Sequence, residues 1–258
     1  MKIFSILLII LTVLPSFGKE LNVALLGDSM TWIGGENFDQ PKGWTYYLTS
    51  LPMNMKLYAR SGATWTNTTR TKHNPTAYTE VLDDDNVIYN QIIRLNEDTS
   101  FHPDIIVIYA GANDAWFVSK RPQVFQNTCT DPAEITENSN PKDYTSLEGS
   151  IVLGCTLLRN QFPGAEIYLV SPVHAGKIDP KRIEMVGNIM ETAAGRLSVP
   201  VVRGDKEIPF IHNQETGTKR VNTYDGVHSN ERGARLIAEC LKERIFQPQI
   251  ANQSEIAN

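Results

Sequence analysis

Cysteine is close to absent from this chain: Cys129, Cys155 and Cys240 are the only three among 258 residues. Thiols so few and so scattered exclude a disulfide-dense scaffold and a paired-cysteine zinc site. Cys240 falls in an apolar helical pattern and reads as a buried thiol. For Cys129 and Cys155 both a bridge and two free thiols stay open, because spacing does not say whether their Cβ atoms approach. An HExxH pair and an Asp-rich calcium loop are missing too, and Asp83, Asp84 and Asp85 read as a solvated charge run. No metal and no other cofactor is therefore expected. Basic clusters are also lacking: 24 Lys and Arg stand against 29 Asp and Glu, a formal net charge of -5. The electrostatic footprint of a nucleic-acid binder is absent, and a polyanion is not an expected partner.

Long hydrophobic runs are confined to the start of the chain. Lys2 precedes an apolar stretch over 3–14, and Ser16-Phe17-Gly18 offers small residues at the cleavage-determining positions. Residues 1–18 are expected to form a signal peptide, giving a secreted or periplasmic protein that keeps no stable membrane insertion after cleavage. The other reading, a membrane anchor, meets the difficulty that the run is shorter than the roughly 20 residues a spanning helix needs. No cysteine lies near the cleavage site to carry a lipid.

What the chain does contain is an alternation. Continuous, β-branched apolar runs occupy 22–27, 55–60, 104–111, 165–172 and 199–204, and helical periodicity fills 43–51, 86–97, 145–161, 180–197 and 230–244 between and after them. Apolar runs of this kind suit strands covered on both faces, so the pattern predicts an α/β fold: a parallel sheet in a three-layer α/β/α sandwich. With 41% hydrophobic residues, one catalytic domain over 19–246 is expected, followed by a polar, disordered tail at 247–258. Two stretches rich in Asn, Thr, Asp and Pro, 64–85 and 116–144, break the rhythm as long loops, of the kind that form lids or rims.

The chemistry-bearing residues sit where runs end. Gly27-Asp28-Ser29 closes the first run, and ligands bind at the carboxyl ends of parallel strands. Ser29 is thereby placed as a nucleophile, although Asp and Ser at such a junction also serve as helix caps. Near the other end, Asp225-Gly226-Val227-His228 precedes a helical pattern. A serine hydroxyl attacks an ester only when a base takes its proton, and a neutral histidine does this best when a carboxylate holds its other nitrogen. His228 and Asp225 fit those roles. A tetrahedral intermediate also needs fixed donors for its oxyanion. Asn113, in Gly111-Ala112-Asn113-Asp114, and the backbone of Gly62, in Arg60-Ser61-Gly62-Ala63, stand at two further run ends.

Together these four elements resemble the SGNH hydrolase (GDSL-like esterase/lipase) family of the secreted bacterial type, in the family's order and across nearly the whole chain after 18. The resemblance implies a flavodoxin-like sheet of five parallel strands in the order 2-1-3-4-5. It implies catalysis by Ser29, His228 and Asp225, with an oxyanion hole formed by the backbone of Ser29, the backbone of Gly62 and the side chain of Asn113. Met30 departs from the leucine of the family's name motif, a volume-conserving change. No Gly-x-Ser-x-Gly elbow is present, which argues against the separate α/β-hydrolase fold.

Trp32, Trp65 and Trp116 each follow a motif residue at the same offset, after Ser29, Gly62 and Asn113. Two readings apply: a substrate-binding rim stacking on sugar rings, or packing residues of the sheet edge. With export, the rim favours an acylated carbohydrate, such as an acetylated oligosaccharide, as the ester substrate. A short-chain or lipid ester and acyl transfer to a sugar share every residue, and a non-catalytic carbohydrate-binding protein on the same fold is the alternative of another class. His174 either lines the site or is structural; His73, His102 and His212 read as surface residues.

Overall fold

The computed structural model describes residues 20–67 and 87–256, so the expected signal peptide, His73 and the Asp83, Asp84 and Asp85 run lie outside the described residues. The apolar runs become β1 (Leu21–Gly27), β2 (Met53–Leu57), β3 (Ile105–Tyr109), β4 (Glu166–Val170) and β5 (Val201–Val202). All pair in parallel, in the order 2-1-3-4-5. Around the sheet lie α1 (Ser29–Trp32), α2 (Ile88–Glu97), α3 (Ala112–Phe117), α4 (Leu147–Gln161), α5 (Pro180–Arg196), α6 (Gly204–Glu207), α7 (His212–Glu215), α8 (Glu231–Leu241) and α9 (Gln247–Ile256).

Strand alternation divides the core in two. Ala24 and Leu26 of β1, with Ile106 and Ile108 of β3, pack under Ile88, Ile92, Ile151 and Val186 of α2, α4 and α5. Val23 and Leu25, with Ile105, Val107 and Tyr109, face Trp44, Ile237, Leu241 and Phe246. Each such side chain taken from water contributes about 1.5–3 kcal/mol before conformational entropy is charged against it. Both faces are covered, which is why the strand sequences read as unbroken apolar runs.

Two expectations are corrected, and one open question is answered. The helix predicted over 43–51 is a short 3-10 turn, Trp44–Leu48, whose indole drops into the core instead of extending a regular helix. Over Gln247–Ile256 the expected disordered tail is helical: α8 continues through a π turn, Lys242–Phe246, into α9, because Phe246 and Ile250 pack on the second core and the Gln249 amide donates to the Tyr168 hydroxyl at 2.8 Å. Cys129 and Cys155 are both free thiols, the first exposed and the second buried in α4. The 116–144 stretch is organised by three Pro-led turns, Pro122–Phe125, Pro132–Glu134 and Pro141–Asp143. It is pinned by buried Glu148, which accepts the backbone N–H of Thr128 and Thr130 and pairs with Arg196.

Candidate active site

At the end of β1 the chain must turn abruptly into α1. Gly27 does so at φ 146°, and a Cβ there would lie 2.2 Å from the Tyr109 carbonyl oxygen. Buried Gln91 on α2 clasps the same residue, accepting the Gly27 N–H at 2.8 Å and donating to its carbonyl at 2.9 Å. Asp28 caps α1 by accepting the Met30 N–H at 2.9 Å. Burial pushes the Asp28 carboxyl up to about 7, against the opposing pull of the Met30 hydrogen bond and the nearby His228. Ser29 follows as the first residue of the helix.

The Ser29 hydroxyl lies 2.9 Å from His228 Nε2, and His228 Nδ1 lies 2.7 Å from Asp225 Oδ2. The other Asp225 oxygen accepts the backbone N–H of Val227 at 2.9 Å and of His228 at 2.8 Å. Burial works against the charge on Asp225, but the bonds from the His228 ring and from these two N–H groups hold its carboxyl below the ordinary aspartate range. A carboxylate so held fixes the imidazole orientation and leaves Nε2 facing the hydroxyl.

Asn113, the second residue of α3, donates one amide hydrogen to the Ala63 carbonyl at 2.9 Å, which orients the carboxamide and leaves its second hydrogen to point elsewhere. Its neighbour Asp114 is fully buried and accepts the N–H groups of Trp65 and Thr66, both at 3.0 Å, so the two halves of the motif together draw the loop holding Gly62 to the end of β3. Burial raises the Asp114 carboxyl despite these bonds. Gly62 itself adopts φ 80°, a conformation that suits glycine. Among the described residues neither the Ser29 N–H nor the Gly62 N–H has a protein acceptor.

Of the three indoles at matching offsets, Trp32 and Trp116 are exposed, at 45% and 41%, whereas Trp65 is 1% exposed. The rim expectation is thus overturned for Trp65. Asp114 pulls its backbone inward, and the ring packs in the first core close to Gly154 and Ile92. His174 has no hydrogen bond to the Ser29, His228 and Asp225 set, and its buried Nδ1 has no hydrogen-bond partner among the described residues. His212 is half-buried, not a surface residue, because its ring meets the Ala175 carbonyl at 2.8 Å.

Several residues here escaped sequence reasoning. Glu215, at the end of α7, is fully buried and accepts the N–H groups of Asn222 and Thr223, each at 2.9 Å, together with the Thr223 hydroxyl at 2.7 Å. It thereby anchors the strand of chain that leads to Asp225. Nothing in the local sequence marks Glu215 or Gln91, whose partners are distant backbone groups. Tyr224 did carry a signal, standing directly before Asp225; its ring stacks on the His228 imidazole, with centroids 5.8 Å apart and planes at 20°.

The sequence pattern of the GDSL-like Lipase/Acylhydrolase family matches residues 23–241, from β1 to the end of α8. The chain belongs to that family. This GDSL-like protein is accordingly a carboxylic ester hydrolase, and the match takes in every residue of the hydrogen-bonded set around Ser29. Solved structures share its fold. A structure described as a possible lipase from Chitinophaga pinensis is 19% identical with a TM-score of 0.58, covering 90% of this chain and 100% of that one. An acetyl xylan esterase is 19% identical with a TM-score of 0.54, covering 88% and 100%. A member of the lipolytic G-D-S-L family from Veillonella parvula is 14% identical with a TM-score of 0.53, covering 88% and 98%. No curated protein sequence matches this GDSL-like chain.

Proposed function

We propose that this acylhydrolase is an exported serine esterase that removes acyl groups, acetyl first among them, from carbohydrate. The observation that carries the catalytic part is the continuous hydrogen-bonded chain from Ser29 through His228 to Asp225. In the first half-reaction the Ser29 oxygen attacks the acyl carbonyl carbon while its proton passes to His228 Nε2. The resulting oxyanion is held by the N–H groups of Ser29 and Gly62 and by the Asn113 amide. The ester C–O bond then breaks, and His228 returns the proton to the departing alkoxide, leaving acyl-Ser29. In the second half-reaction water loses a proton to His228 and attacks the acyl carbon. The bond between the acyl carbon and the Ser29 oxygen then breaks, His228 returns its proton to that oxygen, and the carboxylic acid leaves.

The carbohydrate part is supported by exposed Trp32 and Trp116 beside Ser29 and Asn113, whose faces suit stacking on sugar rings, and by the likeness to an acetyl xylan esterase. Export is supported by the charged, apolar and small-residue pattern over 1–18. The test is turnover of p-nitrophenyl acetate and acetylated xylo-oligosaccharides by the parent and Ser29→Ala proteins, with fluorophosphonate labelling mapped by mass. Label on Ser29, and loss of both activities in the variant, are expected; a variant as fast as the parent defeats the catalytic reading. Turnover of p-nitrophenyl acetate and longer acyl esters with no release of acetate from the oligosaccharides shifts the substrate to a short-chain or lipid ester.

A further inference from the structure

Asp225 and His228 come from one tight turn. One Asp225 oxygen accepts the N–H groups of Val227 and His228, the other faces His228 Nδ1, and the Tyr224 N–H donates to the His228 carbonyl at 3.0 Å, so all these bonds close within 224–228. They fix the imidazole relative to the turn and leave open where the turn stands relative to Ser29, 199 residues away in the chain. A general base works only within hydrogen-bond reach of the proton it takes. The turn itself must therefore be held against the nucleophile's side of the site.

Most of its anchors lead elsewhere. Glu215 accepts the N–H groups of Asn222 and Thr223, Arg220 donates to the Tyr224 carbonyl at 3.2 Å, and the Lys177 N–H donates to the Gly226 carbonyl at 3.2 Å. All three partners belong to the chain after β4. Apolar packing of Ile237 and Leu241 in the core with Trp44 seats α8, but the turn lies ahead of that helix, with the side chains of His228 and Asp225 27% and 33% exposed. Besides the catalytic contact, two hydrogen bonds among the described residues run from this region to the segment that follows Ser29. The Tyr47 hydroxyl lies 3.0 Å from the Pro41 carbonyl and 3.3 Å from that of Glu231, at the start of α8. The Ser229 hydroxyl donates to the Lys42 carbonyl at 2.6 Å. Ser229 is fully buried, directly follows His228, and bridges Thr223 across the base of the turn. On the other limb, the Tyr224 ring stacks on the imidazole and lies with its centre 4.6 Å from the Lys42 ammonium. Lys42 thus meets the turn on both sides of His228.

Lys42 is in turn fixed to the nucleophile. The chain leaves α1 at Ile33, whose N–H donates to the Ser29 carbonyl at 3.0 Å, and it returns where Gln40 donates to the Gly34 carbonyl at 3.2 Å and Gly43 to the Gln40 carbonyl at 2.9 Å. Gly43 comes back so close that a Cβ there would lie 2.2 Å from Gly34 Cα. The backbone of Lys42, beside Gly43, is set in place against α1. We infer that Ser229 and Tyr224 are positioning residues that pin the turn carrying His228 to Lys42, the first through its hydroxyl and the second through its ring, and so hold Nε2 at the Ser29 oxygen. This deepens, and rests on, the serine esterase reading above, and it is independent of which alcohol or acyl group the ester carries.

The test is steady-state hydrolysis of p-nitrophenyl acetate, well below each melting temperature, by the parent, Ser229→Ala, Ser229→Thr, Tyr224→Ala and Tyr224→Phe, with the rate of fluorophosphonate labelling of Ser29 as a second readout. Ser229→Ala should lower kcat about 10-fold and change KM by less than about 2-fold, because a displaced base meets a substrate bound as before. Ser229→Thr keeps the hydroxyl and should recover most of that loss. Tyr224→Ala should lower kcat roughly 3-fold, whereas Tyr224→Phe, which keeps the ring, should match the parent. Labelling needs the same proton transfer and no sugar, so it should slow by the same factors. A folded Ser229→Ala as fast as the parent, with only its melting temperature lowered, overturns the inference. So does an effect confined to KM, or an equal kcat loss in Ser229→Ala and in a Ser229→Thr protein that melts with the parent. Should Ser229→Ala not fold, the tyrosine pair decides: kcat lowered in Tyr224→Ala and kept in Tyr224→Phe supports the inference, and equal kcat in Tyr224→Ala and the parent overturns it. Ser29→Ala as fast as the parent removes the serine esterase reading and this inference with it; an inactive Ser29→Ala beside an unaffected Ser229→Ala removes the inference alone.

Discussion

Asn113 spends one amide hydrogen on the Ala63 carbonyl, so its whole contribution to an oxyanion comes through the other. Asn113→Ala should therefore lower kcat by about 10²–10³-fold with KM little changed, as expected for a donor used only in the transition state. Steady-state kinetics on p-nitrophenyl acetate decide it, and an effect confined to KM would make the residue a ground-state binder. The tryptophans separate at the same scale. Trp65→Ala empties a core position and should cost about 3–5 kcal/mol, visible as a lower melting temperature and equal losses on large and small esters. Trp32→Ala and Trp116→Ala should leave the melting temperature nearly unchanged and weaken kcat/KM on an acetylated oligosaccharide by about 1–2 kcal/mol more than on p-nitrophenyl acetate. Parallel losses on both substrates would remove the two exposed indoles from the binding surface.

Elements position the site through buried polar clasps. Gln91 of α2 holds Gly27, Asp114 of α3 holds the loop after Gly62, and Glu215 of α7 holds the chain before Asp225. Each accepts backbone N–H groups that no regular element satisfies, and a buried donor left unpaired costs about 1–3 kcal/mol. Glu215→Gln sets an amide N–H₂ against a buried donor, so a stability loss of that size is expected. Because the displaced segment carries Asp225 and His228, kcat should also fall, by roughly 10-fold, well below the unfolding transition and with KM nearly constant. A lowered melting temperature with kcat intact would make Glu215 a purely structural acceptor.

For the whole molecule, Asp28 and Asp225 pull the pH dependence of stability in opposite directions. In the unfolded chain Asp28 ionises near 3.8, whereas in the fold burial delays ionisation to about 7. Between these values the unfolded chain has released a proton that the native state keeps, so stability falls as pH rises from 3.8 to about 7 and the decline ends above that. Asp225, whose carboxyl is held below its ordinary 3.8, contributes stability that is present above that value and lost as pH falls through its native ionisation. Asp28→Asn keeps an acceptor for the Met30 N–H and removes the burial of a charge. The variant should melt higher than the parent at about pH 8 and close to it at about pH 4; calorimetry showing parallel curves across that range would refute the assignment.

Periodicity made the sheet legible in the sequence, because strands buried on both faces must be continuous apolar runs and the helices between them must be amphipathic; the five strands and four of the helices, α2, α4, α5 and α8, follow from that. Run ends then located Ser29, Gly62 and Asn113, since the carboxyl edge of a parallel sheet collects whatever chemistry stands there, and the start of a helical pattern located the Asp225 and His228 pair. The tail escaped because its composition is polar while its few apolar groups, Phe246 and Ile250, find a core made by distant strands. Trp65 escaped for a related reason: three indoles share one offset in the sequence, but Asp114 draws only the backbone of Trp65 inward. The sequence by itself thus determined fold class and the set of candidate site residues, through local periodicity and motif order. Only the tertiary structure decided which aromatics are exposed and which buried carboxylates clasp the loops, because each depends on groups far apart in the chain meeting in space.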